Sequence, residues 1–242
     1  MNPIVLAACD VPYFMQHGVA FAKSLKASKN RGLILLFANM DYDLIDQWVQ
    51  LWNIVESLDL PDSIQIQAIE PRLFNSFYAD LDVHNEKAFY ASVRFLLLPY
   101  LISTGNSYII LDIDSIVNKQ IVIPDEYDYG LFLREDNTAG GSAYEQTGMK
   151  VAAGSVYITP RAQEFAVKVT QILRASPIQW FCDQVALYGA YKQVKDTLKL
   201  CPFDGDFLDW EFKPGTVVWT GKGPRKFENQ TYLTAKQQAE NF

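Results

Sequence analysis

The chain has 242 residues, with 21 Lys plus Arg against 28 Asp plus Glu, a formal net charge of −7. That balance argues against a protein that coats nucleic acid, though it leaves room for a local basic site that takes a phosphorylated small molecule. A composition 49% hydrophobic and 20% charged, with Gly 13 and Pro 11, excludes disordered, collagen-like and low-complexity classes.

The run Ile4–Cys9 is apolar without interruption and ends in Asp10, which reads as a buried strand. Phe14–Ala27 carries apolar residues at helical spacing. A second buried strand follows at Leu33–Phe37. A helix is expected over Asp41–Leu58, with Leu44, Trp48, Leu51, Trp52 and Val55 on one face. Ile64–Ile69 alternates as a half-exposed strand, and Glu86–Ile102 reads as a helix whose end Pro99 kinks. Tyr108–Leu111 is the fourth strand, closed by Asp112-Ile113-Asp114. Strands alternating with helices point to a mostly parallel sheet covered on both faces. After Asp114 the pattern is shorter: strands near Tyr129–Leu133, Val151–Thr159 and Thr216–Thr220, helices near Ala162–Ala175 and Phe181–Val194. Asn137–Ser142, small and polar, is the candidate mobile loop.

Cys9, Cys182 and Cys201 are odd in number and form no CxxC pair, which suits a reducing compartment. No apolar run reaches the ~18 residues of a membrane span. The N-terminus lacks a basic leader and runs straight into a strand, so a cytoplasmic protein is expected.

Four features could carry chemistry. The first is Asp112-Ile113-Asp114, two carboxylates two apart at the C-terminal end of a buried strand, where open α/β sheets bind ligands. Hard cations such as Mn²⁺ or Mg²⁺ join such carboxylates to a diphosphate. An apolar strand ending in DxD also opens the haloacid-dehalogenase phosphatases, with the first Asp as nucleophile, although there the motif sits on the first strand. The second is Ala8-Cys9-Asp10 with Tyr13, where Asp10 either caps the next helix or accepts from a nucleobase on which an aromatic stacks. The third is Gly221-Lys222-Gly223-Pro224-Arg225-Lys226, whose glycines admit close approach and whose cations neutralise a diphosphate. It has neither the P-loop spacing nor the third Gly and following helix of a dinucleotide fingerprint. The fourth is Trp180-Phe181-Cys182-Asp183-Gln184, able to hydrogen-bond and pack on a sugar.

Together these resemble the GT-A glycosyltransferases, most closely family eight, the glycogenin and bacterial galactosyltransferase type. Ser92–Pro99 is similar to that family's helix with a donor-binding Arg, here Arg94. Val151–Ile158 resembles its "FNAGVLLI" strand, with Gly154 at the glycine. Asp183-Gln184 matches its DQ pair, and Gly223–Lys226 its "GPxK" loop. The resemblance implies one GT-A domain over 1–242, with a nucleotide-binding half (1–114) and an acceptor or closing half (115–242). It implies an α/β fold with a mostly parallel central sheet. It implies a retaining, metal-assisted transfer from a nucleoside-diphosphate sugar, a UDP-sugar first, to a glycan, lipid-linked sugar or protein. Donor contacts would come from Ala8, Cys9, Asp10, Tyr13, Arg94, Asp112, Ile113, Asp114, Gly154, Lys222, Gly223, Arg225 and Lys226. Asp112 and Asp114 would hold Mn²⁺ or Mg²⁺, and Asp183 and Gln184 would be catalytic. Two positions depart from the family: Thr220 stands where it has a metal-binding His, and Ala152 where it has the Asn of "NAG". A different class of answer is a nucleotide-sugar-binding protein with little turnover.

Overall fold

A computed structural model describes residues 2–37, 45–69 and 81–242. Among these the strands are β1 (Ile4–Asp10), β2 (Arg31–Phe37), β3 (Ile64–Ile69), β4 (Tyr108–Leu111), β5 (Ser115–Val117), β6 (Tyr129–Leu133), β7 (Val151–Ile158), β8 (Leu200–Pro202), β9 (Leu208–Asp209) and β10 (Val218–Thr220). Seven form the main sheet in the order β3-β2-β1-β4-β7-β6-β8, and β5-β10-β9 form a second, small one. β1 to β4 run parallel to their neighbours, and the direction reverses at β7, which pairs antiparallel with β4 from Tyr108↔Ile158 to Leu111↔Ser155.

The apolar runs of β1 and β4 have no polar face because both faces are covered. Leu6, Ala8, Tyr108 and Ile110 point to one side and pack with the Glu86–Leu96, Gln163–Arg174 and Cys182–Val194 helices. Val5, Ala7, Ile109 and Leu111 point to the other, against Phe21 and Leu25 of the Val19–Ala27 helix and Leu51 of the Ile45–Ser57 helix. Each fully buried Leu, Ile or Val contributes about 1.5–3 kcal/mol, so this double layer fixes where the strand ends lie.

Several boundaries differ from the sequence expectation. The helix after β1 begins at Val11, not Phe14. Asp10 caps it, its Oδ1 accepting from the Tyr13 amide at 2.9 Å, and Pro12 sits in the first turn. Phe14–Gly18 is a π-turn, and a Cβ on Gly18 would lie 2.1 Å from the Phe14 ring, so only glycine leaves room for it. The expected Glu86–Ile102 helix is two helices, Glu86–Leu96 and Leu98–Ser103, separated at Leu97 with Pro99 in the second one's first turn. Asp41–Leu44 of the expected third helix lie outside the described residues. Asn137–Ser142 leads into a short Ala143–Gly148 helix, where Ser142 and Glu145 cap each other reciprocally. The strands β5, β8 and β9 and the Arg225–Glu228 and Gln230–Asn241 helices had no signal strong enough to read: two- and three-residue strands carry no period, and in the final helix only Tyr232 is buried.

Candidate active site

β1 and β4 lie side by side with Leu6 opposite Ile110, so Asp10 and the Asp112–Asp114 turn emerge at the same C-terminal edge. Arg94 comes to that edge from the Glu86–Leu96 helix, whose Ala88, Val93, Phe95 and Leu96 are buried around it. It is only 3% exposed, and its guanidinium donates to the Ala91 carbonyl (Nε, 2.9 Å), the Leu111 carbonyl (Nη1, 2.7 Å) and Asp112 Oδ1 (Nη2, 2.6 Å). These bonds hold the guanidinium to main chain on both sides, so it aims the Asp112 carboxylate. From the facing strand β7, Gly154 makes room: a Cβ there would lie 2.4 Å from Asp112 Oδ2.

Asp114 is held by the other end of the chain. Its Oδ2 accepts from Tyr13 Oη (2.8 Å) and from Lys226 Nζ (2.9 Å), and Lys226 also donates to Tyr13 Oη at 2.5 Å. The Asp114 carbonyl accepts from Tyr232 Oη (2.6 Å) and the Gly221 amide (3.0 Å). Burial, and then the Asp112 charge, push the Asp114 carboxyl above the ordinary range, while Lys226 and the two hydrogen bonds pull it back. Burial and the neighbouring Asp114 also drive the Tyr13 phenol up, so it remains a donor.

Asp183 and Gln184 open the Cys182–Val194 helix. Phe181, just before it, sits at φ +72°, a left-handed conformation that a bulky residue adopts only under constraint. Asp183 is 8% exposed and its Oδ1 accepts the Gln184 amide at 2.8 Å. Burial raises its pKa, Arg94 opposes the rise and Asp112 adds to it. With its side-chain nitrogen toward β7, Gln184 donates to the Val151 carbonyl (2.8 Å) and the Gly148 carbonyl (3.1 Å), which turns its oxygen away from them.

These residues line two adjoining cavities. An inner one of about 170 Å³ is walled by Asp112, Gly154, Asp183, Gln184, Arg94 and Lys222. An outer one of about 580 Å³ is walled by Ala8, Cys9, Asp10, Tyr13, Ile113 and Asp114, with Gly223 and Lys226 across the opening. Arg94, Asp112, Trp180 and Lys222 belong to both.

Three expectations change. Arg225 reaches neither cavity; it pairs with Glu211 at 3.1 Å on the surface. Tyr13 is less a free stacking face than a hydroxyl bound to Asp114, with the Lys226 ammonium 5.0 Å from its ring centre. The basic loop is followed by helices, Arg225–Glu228 and Gln230–Asn241, although the third glycine of a dinucleotide fingerprint is still lacking. Cys9 is a wall: burial holds its thiol far above the usual range, unsuited to a nucleophile. Lys222 lies 5.4 Å from the Trp210 ring centre, and desolvation, then Arg134, keeps its ammonium below the ordinary lysine range. Tyr90, Lys87 and Phe227 in the outer cavity and Trp210 in the inner one were missed, and Thr220, singled out as a departure from the family, lines the inner one. Tyr90 and Lys87 lie four and seven residues before Arg94, so helical spacing alone could have found them.

No protein-family model matches the sequence, and no curated protein matches it. Solved structures do. The chain is similar to the galactosyltransferase LgtC, crystallised with donor and acceptor sugar analogs, with a TM-score of 0.61 and 16% identity over 98% of this chain and 95% of that one. It is similar to GlyE, a glycosyltransferase of Streptococcus pneumoniae TIGR4, at TM-score 0.54 and 13% identity, covering 100% of this chain and 62% of that one. Mouse xyloside xylosyltransferase 1 gives TM-score 0.54 and 8% identity over 91% of this chain and 97% of that one. The fold is therefore that of the GT-A glycosyltransferases, as the motifs implied. The phosphatase alternative does not suit it: the DxD follows the fourth strand of the chain rather than the first, and Arg94 pins one oxygen of Asp112.

Proposed function

We propose that the protein is a glycosyltransferase that moves a sugar from a nucleoside-diphosphate sugar, a UDP-sugar by the family resemblance, to a glycan, lipid-linked sugar or protein acceptor. The observation that carries this reading is the junction of the two cavities. The outer one, about 580 Å³, falls within the roughly 300–1,000 Å³ of small-molecule pockets. It would take the nucleoside along Ala8, Cys9, Asp10 and Ile113. The diphosphate would then lie at the shared wall of Arg94, Asp112 and Lys222, under Gly223 and Lys226. The sugar would enter the smaller inner cavity, against Gly154, Asp183 and Gln184. Lys222 and Lys226 would meet the charge that develops on the departing diphosphate, the electrostatic role that dominates such chemistry. Asp183 would hold sugar hydroxyls. Gln184, a poor nucleophile, would turn its amide oxygen toward an oxocarbenium-like centre in a retaining transfer; in LgtC a glutamine-to-glutamate change is described as an active-site mutation.

Residues 1–114 would in this reading form the nucleotide half and 115–242 the closing half. Free Cys9, Cys182 and Cys201 support a cytoplasmic setting, and among the described residues no helix is long and apolar enough to cross a membrane.

The family resemblance implies Mn²⁺ or Mg²⁺ at Asp112 and Asp114, and these residues do not by themselves make such a site. Each carboxylate already has a cation, Arg94 or Lys226, and no group of three His, Cys, Asp or Glu is gathered among the described residues.

The test is a melting-temperature screen against nucleotide-sugars and their nucleosides. The reading expects a rise with at least one nucleoside diphosphate and its sugar, and none with the nucleoside alone. Binding without release of the diphosphate on any acceptor would instead mean a binding protein. No rise with any nucleotide-sugar would end the reading.

A further inference from the structure

We infer that the Lys226 ammonium takes the place of a divalent ion at this DxD, so that the nucleoside diphosphate binds and leaves without metal. This rests on the nucleotide-sugar reading above.

The charges at the site close without an ion. Arg94 neutralises Asp112 at 2.6 Å and Lys226 neutralises Asp114 at 2.9 Å, the second pair with side chains only 15% and 10% exposed. An ion at Asp114 would meet a carboxylate with one oxygen already bonded to a lysine, and would sit beside that positive charge. The position that could add a third ligand is Thr220, a buried neutral hydroxyl and a weak ligand for a hard cation.

The ammonium site is built rather than fortuitous. Lys226 Nζ lies between the rings of Tyr13 (5.0 Å) and Phe227 (5.5 Å), an aromatic setting that favours a monovalent organic cation. The turn that leads into its helix is tied to the main chain of Asp114 by the Gly221 amide, and Tyr232 Oη holds the same carbonyl. Gly221 permits that approach: a Cβ there would lie 2.7 Å from Lys226 Cβ and 3.0 Å from the Asp114 carbonyl oxygen. Lysine has three donors, and Asp114 and Tyr13 take two of them. The third remains for a phosphate oxygen in the outer cavity, which Lys226 lines together with Lys222. Removing either partner of so buried a pair would leave an uncompensated charge.

The experiment is calorimetric titration of UDP, GDP, ADP and dTDP into the protein in a chelator and in Mn²⁺, repeated with Lys226→Met, which keeps a long side chain against the two rings. For the wild type, the affinity in chelator is expected to lie within about threefold of that in Mn²⁺. Lys226→Met is expected to lose roughly 10- to 100-fold in chelator and to recover most of it in Mn²⁺, because Asp114 is then free to take the ion. Wild-type binding that disappears in chelator overturns the inference, as does a folded variant that Mn²⁺ fails to rescue. If the variant does not fold, the wild-type titrations decide alone. If no nucleoside diphosphate binds under either condition, the glycosyltransferase reading itself fails, an outcome distinct from binding that requires Mn²⁺.

Discussion

The two cavities are walled by different kinds of structure. Asp112 at their boundary and Asp114 in the outer one are two residues apart yet take their cations from opposite directions along the chain. Asp112 is served by Arg94, 18 residues earlier, from a helix packed on the sheet. Asp114 is served by Lys226, 112 residues later, from the short Arg225–Glu228 helix that follows β10. In the proposed reading, the anchor of the inner cavity, which would take the sugar, is a side chain set by core packing, and the anchor of the outer one, which would take the nucleotide, is a side chain from a closing segment. Substrate selection would be rigid on the inner side, and entry and release of nucleotide would be governed by the outer one.

The sharpest way to break this contrast is Arg94→Ala. It strands three bonds in the interior, including that to a carboxylate whose side chain is 40% exposed. The expected loss is about 3 kcal/mol, the low end for a broken buried pair, read by urea unfolding. A loss below about 1 kcal/mol would mean the inner wall is no more rigid than the outer. Gly154→Ala tests the inner cavity more selectively. The new Cβ would meet Asp112 Oδ2 at 2.4 Å, so about 2 kcal/mol of strain is expected, with the affinity for a UDP-sugar falling more than that for UDP. Equal losses would place the clash on the nucleotide side.

Several of the residues that gather in this cleft are legible in the sequence, and the reason is local. Asp10 and Asp112–Asp114 end unbroken apolar strands, and the parallel pairing of β1 with β4 brings such ends together. Asp183 and Gln184 were singled out beside Trp180 and line the inner cavity with it. What escaped depends on pairings across the chain. Lys222, Arg225 and Lys226 looked like one basic patch, but they separate: one over Trp210, one to Glu211, one to Asp114. Nothing within five residues encodes those partners. Of the small sheet β5-β10-β9, only β10 was expected, near Thr216–Thr220; β5 and β9 escaped because two- and three-residue strands have no periodicity to detect.

Smaller effects sharpen the outer side. Asp10→Ala removes the cap on the helix after β1, so a loss of about 1 kcal/mol is expected in thermal unfolding. If Asp10 also contacts the base, UDP affinity falls while that for pyrophosphate does not. A protein as stable as the wild type would contradict the cap. The smallest effect has the opposite sign. Burial raises the Asp183 pKa, so the native state binds its proton more tightly than the unfolded chain, and stability falls as pH rises from the ordinary aspartate value through the raised one. Asp183→Asn should therefore raise the melting temperature slightly at neutral pH, with the gain fading once the medium is acid enough to protonate aspartate in the unfolded chain. At the same time it should weaken sugar binding. A destabilised Asn variant at neutral pH would show that the Arg94 field, not burial, governs this carboxylate.

The most direct test of the central claim is diphosphate release. Purified protein is incubated with a panel of nucleoside-diphosphate sugars, with and without simple acceptor sugars, and the free nucleoside diphosphate is quantified. Release is expected from at least one donor, faster with an acceptor present, and much reduced in Asp112→Asn, which loses the carboxylate that Arg94 aims at the junction of the two cavities. Release from none of the donors, or release that Asp112→Asn leaves unchanged, would contradict the assignment of this cleft as a glycosyltransferase active site.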